Sequence, residues 1–151
     1  MTEIIQLMAD NETLIGQLYR LYAQRFPAEK AFFLSIASEE DNHHDWIINI
    51  SRQAAEQNSP LKLKTFTTLA IKAYQNYMLQ EMQPEKIKNL NFHQALSISL
   101  YIEKSLLEKH FLDVFKNGDP KLENITNSLV AATTEHAKRV QDKLSSITQR
   151  D

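Results

Sequence analysis

Four long segments of this chain place an apolar residue at every third or fourth position, and the prolines fall only between them. That period puts the apolar residues on one face of an α-helix. The 151 residues include two glycines and four prolines: Gly16, Gly118, Pro27, Pro60, Pro84 and Pro120. So few breakers predict long helices and exclude a turn-rich β-sandwich. The first helix is predicted at about 3–25, with the stripe Ile4, Met8, Glu12, Ile15, Tyr19, Tyr22 and Phe26. Pro27 ends it and opens a second, about 28–57, with Glu29 in its first turn and the stop Asn58-Ser59-Pro60 after it. A third bundle helix at about 92–116, capped by Asn91, carries Leu96, Leu100, Glu103, Leu107, His110 and Val114. A turn around Gly118 leads to the last, about 121–149, with Ile125, Leu129, Thr133, His136, Val140, Leu144 and Ile147. Between them, residues 61–90 make a long connection. It carries an extra helix at about 66–81 that presents Phe66, Leu69, Ala70, Ala73, Tyr74, Tyr77 and Met78. Thirty residues is long for a hairpin and suits a crossover along a bundle.

The expected architecture is therefore all-α: one domain spanning 1–151, a four-helix bundle with one long crossover connection. Composition narrows the function. A net charge of −2 and the lack of any basic block exclude a dedicated nucleic-acid binder. With no cysteine there is no disulfide, thiolate metal site or cysteine nucleophile, which fits a cytoplasmic protein. The N-terminus lacks the pattern of a signal peptide. No apolar run approaches the ~20 residues of a spanning helix, so no membrane partner is expected. Gly-x-Ser-x-Gly elbows and phosphate-binding glycine loops are missing as well.

The informative residues are those that break the apolar stripes. Glu12, Glu40 with His43, Glu103, and Thr133 with His136 all stand where the pattern asks for leucine. Glu40 and His43 lie one turn apart within Ala37-Ser38-Glu39-Glu40-Asp41-Asn42-His43-His44. Unpaired burial of such groups costs roughly several kcal/mol, so they require partners. A metal ion is one partner, since Glu-x-x-His steps on facing helices hold metals in bundle cores. One Glu-x-x-His alone means little, because a chain of this composition has about 0.4 by chance. Four interrupted stripes mean more. The halves also echo each other: 31 residues separate Glu12 from His43 and 33 separate Glu103 from His136. Each half runs from an acid, through a proline-containing turn, to a polar-x-x-His step, the pattern of a two-helix duplication. His44 is also within a turn of Glu40 and is the alternative to His43. Glu39 and Asp41 read as surface carboxylates.

Taken with Tyr19, Tyr22 and Ala23, Ala37-x-Glu39-Glu40-x-x-His43, Ala95 with Ile102-Glu103, and Leu129-x-x-x-Thr133-x-x-His136, the chain resembles the rubrerythrin branch of the ferritin-like superfamily over about residues 5–145. The resemblance implies a di-iron carboxylate bundle with Glu12, Glu40, His43, Glu103 and His136 as metal ligands. It further implies iron, one or two ions, with manganese or zinc as substitutes, in a peroxidase or oxidase supplied by an external electron-donor protein. Tyr19, Tyr22 and His110 would then hydrogen-bond ligands or relay protons, and the chain would form a homodimer. Four departures stand out. Thr133 occupies the position of a bridging glutamate, Leu106 replaces a further glutamate, His110 stands where a tyrosine is usual, and no rubredoxin-type module is present. Three carboxylates against two divalent ions leave about one positive charge in a low-dielectric core. The expectation is one ion held firmly by Glu12, Glu40 and His43, and a weaker place at Glu103 and His136. The other reading is a non-enzymatic ferritin-like module, with a degenerate or metal-free polar core, acting through protein partners.

Overall fold

The structure, a computed structural model, describes residues 3–56, 65–108 and 120–148, and every regular element among them is helical. Helix α1 spans Glu3–Arg25, a 3₁₀ turn covers Pro27–Glu29, and α2 spans Lys30–Glu56. They are followed by α3 (Thr65–Glu81), α4 (Pro84–Asn89), α5 (Phe92–Glu108) and α6 (Pro120–Thr148). The Asn58–Pro60 stop, His110 and the turn around Gly118 lie outside the described residues, as do the side chains of Phe66 and of any threonine cap at 65 or 67. Among the described residues no helix is long and apolar enough to cross a membrane.

Local chemistry sets the boundaries. Phe26 leaves helical geometry at φ −123° and ψ 76°, a pre-proline conformation forced by Pro27. The second helix was expected from residue 28; the first three residues after Phe26 instead wind as the 3₁₀ turn, and α-geometry begins at Lys30. Asn91 caps α5 reciprocally. Its Oδ1 accepts from the Gln94 amide at 2.8 Å, and its own amide donates to Gln94 Oε1 at 2.9 Å. Helix α4 was not anticipated within the 61–90 connection. Pro84 stands at its first turn, where a missing N–H costs nothing.

Side-chain contacts fix the directions. Tyr22 and Tyr19 meet Phe33, and Gly16 faces Ala37, so α1 and α2 are antiparallel. Lys143 bridges to Glu29, Arg139 to Ser35 and His136 to Glu39, so α6 runs antiparallel to α2. Lys72 pairs with Glu3 and Gln75 donates to the Leu7 carbonyl at one end of α1. At the other end the Arg25 guanidinium donates to the carbonyls of Ile87 and Leu90. Helix α3 therefore travels with α1 and returns the chain to the Arg25 end. There Phe92 packs on Phe26 and Phe33 to start α5.

One cluster of buried side chains draws on α1, α2, α3, α5 and α6, including Ile15, Tyr19, Phe33, Ile47, Leu96 and Val140. Full burial of each such side chain contributes about 1.5–3 kcal/mol. The face of α3 matches the expected one in part. Tyr74 and Met78 are buried and Ala70 and Tyr77 pack against the core, but Leu69 is 74% exposed, and Ile71 and Glu81 point inward instead. The step 71–74–78–81 is as regular as the stripe starting at Leu69, but its phase lays Gln75 and Lys72 along α1.

Candidate metal centre

Midway along the helices, α1 delivers Glu12 and Tyr19, α2 delivers Glu40 and His43, α5 delivers Glu103, and α6 delivers Thr133 and His136. All are buried. They meet because each occupies an inward position of an otherwise apolar stripe. Glu40 is the hub. One carboxylate oxygen lies 3.1 Å from His43 Nδ1 and the other 2.9 Å from His136 Nδ1. Glu12 Oε2 sits 3.9 Å from His43 Nδ1, and Glu103 Oε1 lies 3.8 Å from His136 Nδ1. The two imidazoles stack with centroids 5.2 Å apart and planes 23° off parallel. Tyr19 donates its hydroxyl to Glu103 Oε1 at 2.7 Å.

The protons are distributed by this geometry. Burial pushes the Glu12 carboxyl well above the ordinary range, and the Glu40 charge and the hydrogen bond between the two carboxyls add to it. Burial pushes Glu40 upward too, but hydrogen bonds with Glu12, His136 and His43 outweigh it and hold that carboxyl below the usual range. Glu103 is pushed up to about 8 by burial and the Glu40 charge, against the pull of His136 and the Tyr19 hydroxyl. For His136, burial disfavours the cation, yet the Glu40 hydrogen bond and the neighbouring carboxylates raise it to about 9. Near neutral pH, Glu40 is thus the anion and His136 the cation, Glu103 carries its proton, and Glu12 holds its own more tightly than a free carboxyl does. A buried group of near-zero net charge avoids the large cost of isolated ions.

Outside this group, Glu39 accepts from His136 Nε2 at 2.6 Å and from Arg139 Nη1 at 2.8 Å, and Arg139 also donates to Ser35 Oγ at 2.7 Å. Glu39 was expected to be a plain surface carboxylate; instead it sits at the rim and fixes the His136 ring. Its signal in the sequence is Arg139, one turn beyond His136 on the same face of α6. Asp41 does stay outside, paired with Arg20. His44 turns away and meets Asp45 Oδ1 at 3.1 Å, which leaves His43 to face Glu40. Thr133 is buried, and its hydroxyl donates to the Leu129 carbonyl at 2.9 Å. Tyr22 is not brought to the cluster. Its ring edges Phe33 at 5.5 Å, and its titratable neighbours are Glu81 and Tyr77 rather than the acids of the cluster. Tyr74, read as core, is buried beside Glu103 and donates to the Ile102 carbonyl at 3.0 Å.

The donor set fits a divalent metal ion. Ligand atoms of Glu40, His43 and His136 all lie within 4.8 Å of one another. Glu12 Oε2 and Glu103 Oε2 are buried with no hydrogen-bond partner among the described residues. Two imidazoles and carboxylates suit first-row transition ions, whereas magnesium and calcium prefer oxygen ligands alone. With its Nε2–H held by Glu39, a neutral His136 turns the Nδ1 lone pair toward Glu40. Both imidazoles approach Glu40, and each also lies beside the acid of its own half of the chain, His43 by Glu12 and His136 by Glu103. No protein-family model, curated protein or solved structure matches the chain.

Proposed function

We propose that this chain is a ferritin-like four-helix bundle, related to the rubrerythrin branch, that binds a divalent metal ion at mid-bundle. The observation that carries the reading is a buried carboxylate set between two imidazoles, with two further carboxylates presenting bare oxygens to the same space. Glu40, His43 and His136 would hold the ion, and Glu12 and Glu103 would complete its surroundings. Iron bound there would supply an open coordination position and one-electron chemistry toward peroxide or dioxygen. The chain's own part is to exclude water, to orient His136 through Glu39, and to hold a proton donor, Tyr19, on Glu103. The resemblance extends the proposal to an external electron-donor protein and a homodimer. Elemental analysis of protein purified without added metal tests the binding, with iron, manganese or zinc expected. Reductant-dependent peroxide consumption by iron-loaded protein, compared with free iron in the same buffer, tests the chemistry. Equal rates would leave a metal-binding module without this activity.

One observation favours a second reading, a metal-free polar core in a module that acts through partners. The pairing of His136, Glu40, His43 and Glu12 is nearly charge-balanced without any ion. Protein that retains no metal and whose melting temperature is unchanged by added manganese, iron or zinc would select it.

A further inference from the structure

We infer that the centre holds one metal ion rather than a pair, and that Thr133 is the residue that excludes the second. The inference rests on the metal-binding reading above and deepens it. A paired site needs a bridging carboxylate from each half and an imidazole for each ion. Here Glu40, His43 and His136 each offer one ligand atom, and the three atoms lie within 4.8 Å of one another, a set that closes around one ion. The repeat puts Thr133 where the first half has Glu40. Its hydroxyl is already committed to the Leu129 carbonyl within its own helix, and a neutral hydroxyl is a poor ligand for a divalent ion. Glu103 is engaged as well, through the Tyr19 hydroxyl on Oε1.

Charge decides the count. The buried carboxylates of the site are Glu12, Glu40 and Glu103. Even with all three ionised, two divalent ions held by neutral imidazoles would leave one positive charge without a partner in a low-dielectric core. The set Glu40, His43, His136 and Glu12 offers two nitrogens and two carboxylates. It therefore takes manganese, iron, cobalt or zinc in preference to magnesium or calcium.

The test is an anaerobic titration of the full chain with Mn²⁺, read as bound metal per chain after desalting and as the electron paramagnetic resonance spectrum at saturation. Wild type and Thr133→Ala are expected to take one ion each, with the spectrum of an isolated Mn²⁺. Thr133→Glu is expected to double the bound metal and give an exchange-coupled spectrum. Thr133→Asp repeats the gain with a smaller acid if the glutamate variant does not fold. Two ions in wild type, or loss of the ion in Thr133→Ala, would overturn the inference while leaving the metal reading standing. Acid variants that stay at one ion would overturn the role of Thr133. Binding by none of the proteins would sink the metal reading itself.

Discussion

Glu39 and Glu40 are consecutive, and one helical step of about 100° sends them to different tasks. Glu40 enters the core between the imidazoles, while Glu39 stays at the rim with Arg139 and holds His136 from behind. Removing such an outer partner of a metal-bound imidazole costs roughly tenfold to a hundredfold in affinity. Glu39→Ala should therefore weaken Mn²⁺ binding by that factor. It should also lower the unfolding free energy by about 1–3 kcal/mol, because the buried His136 Nε2–H loses its acceptor. A metal titration and a denaturant melt of the same variant check both. Asn11 presents the opposite case. It is fully buried in α1, and neither side-chain atom has a hydrogen-bond partner among the described residues. Replacing an unpaired buried polar group by an apolar one of similar volume removes a penalty of about 1–3 kcal/mol. Asn11→Leu should raise the chemical-denaturation midpoint accordingly. The acids and imidazoles that meet at Glu40 were legible in the sequence because each interrupted an apolar stripe. Asn11 was not, because one stripe per helix assumes one buried face.

Helix α1 breaks that assumption. It packs on α2 along one side and on α3 and α4 along another, so a wider arc is buried and takes in Ile5, Ala9, Asn11 and Leu18 beside the stripe. Helix positions could be read from period and proline placement, which are local properties. The phase of α3 and the existence of α4 could not, since both depend on where α1 offers partners such as the Leu7 carbonyl and Arg25. Gly16 lies on the side of α1 nearest α2. A methyl group there would meet Arg20 Nη1 at 3.1 Å and the Ala37 carbonyl oxygen at 3.5 Å. The tight neighbour is the tip of a flexible side chain and the carbonyl contact is ordinary. Alanine therefore fits with a small movement of Arg20, and glycine within a helix costs about 1 kcal/mol relative to it. Gly16→Ala should stabilise the protein by roughly 0.5–1 kcal/mol, measured by equilibrium unfolding. A loss of stability would mean that the α1–α2 approach tolerates no adjustment.

At the scale of the molecule, the cluster ties stability to pH with an unusual sign. The folded state holds protons that the unfolded chain would release. Glu103 is raised to about 8 and His136 to about 9, and Glu12 is raised as well. The stability contributed by His136 is full below its unfolded value and is lost as pH rises through about 9; that of Glu103 is lost as pH rises toward about 8. Glu40, held low, contributes stability that is lost only as pH falls below the ordinary carboxylate range. Metal-free protein should accordingly melt several degrees lower at pH 9 than at pH 6, with its maximum on the mildly acidic side. Metal binding requires those same protons to leave, so the rise in melting temperature caused by metal should grow with pH. Calorimetric melts at both pH values, with and without Mn²⁺, check the two slopes together.

The side chains of Glu12, Glu40, His43, Glu103 and His136 are each no more than 4% exposed. An ion in solution cannot touch its ligands until the helices part, so loading is a question of rate as well as affinity. A surface groove lined by Trp46, Asn49 and Gln53 of α2 and Ile125 and Ser128 of α6 runs beside the site, and the Trp46 ring packs on the His43 ring with centroids 5.4 Å apart. Uptake should saturate with metal concentration at the frequency of local opening, like hydrogen exchange of a protected amide. Because Trp46 is the chain's single tryptophan, its fluorescence reports the event directly in a stopped-flow experiment with Co²⁺. Trp46→Ala, followed by cobalt absorbance instead, should load severalfold faster at little change in affinity. A rate that climbs linearly with Co²⁺ without a plateau would mean that the closed bundle already admits ions.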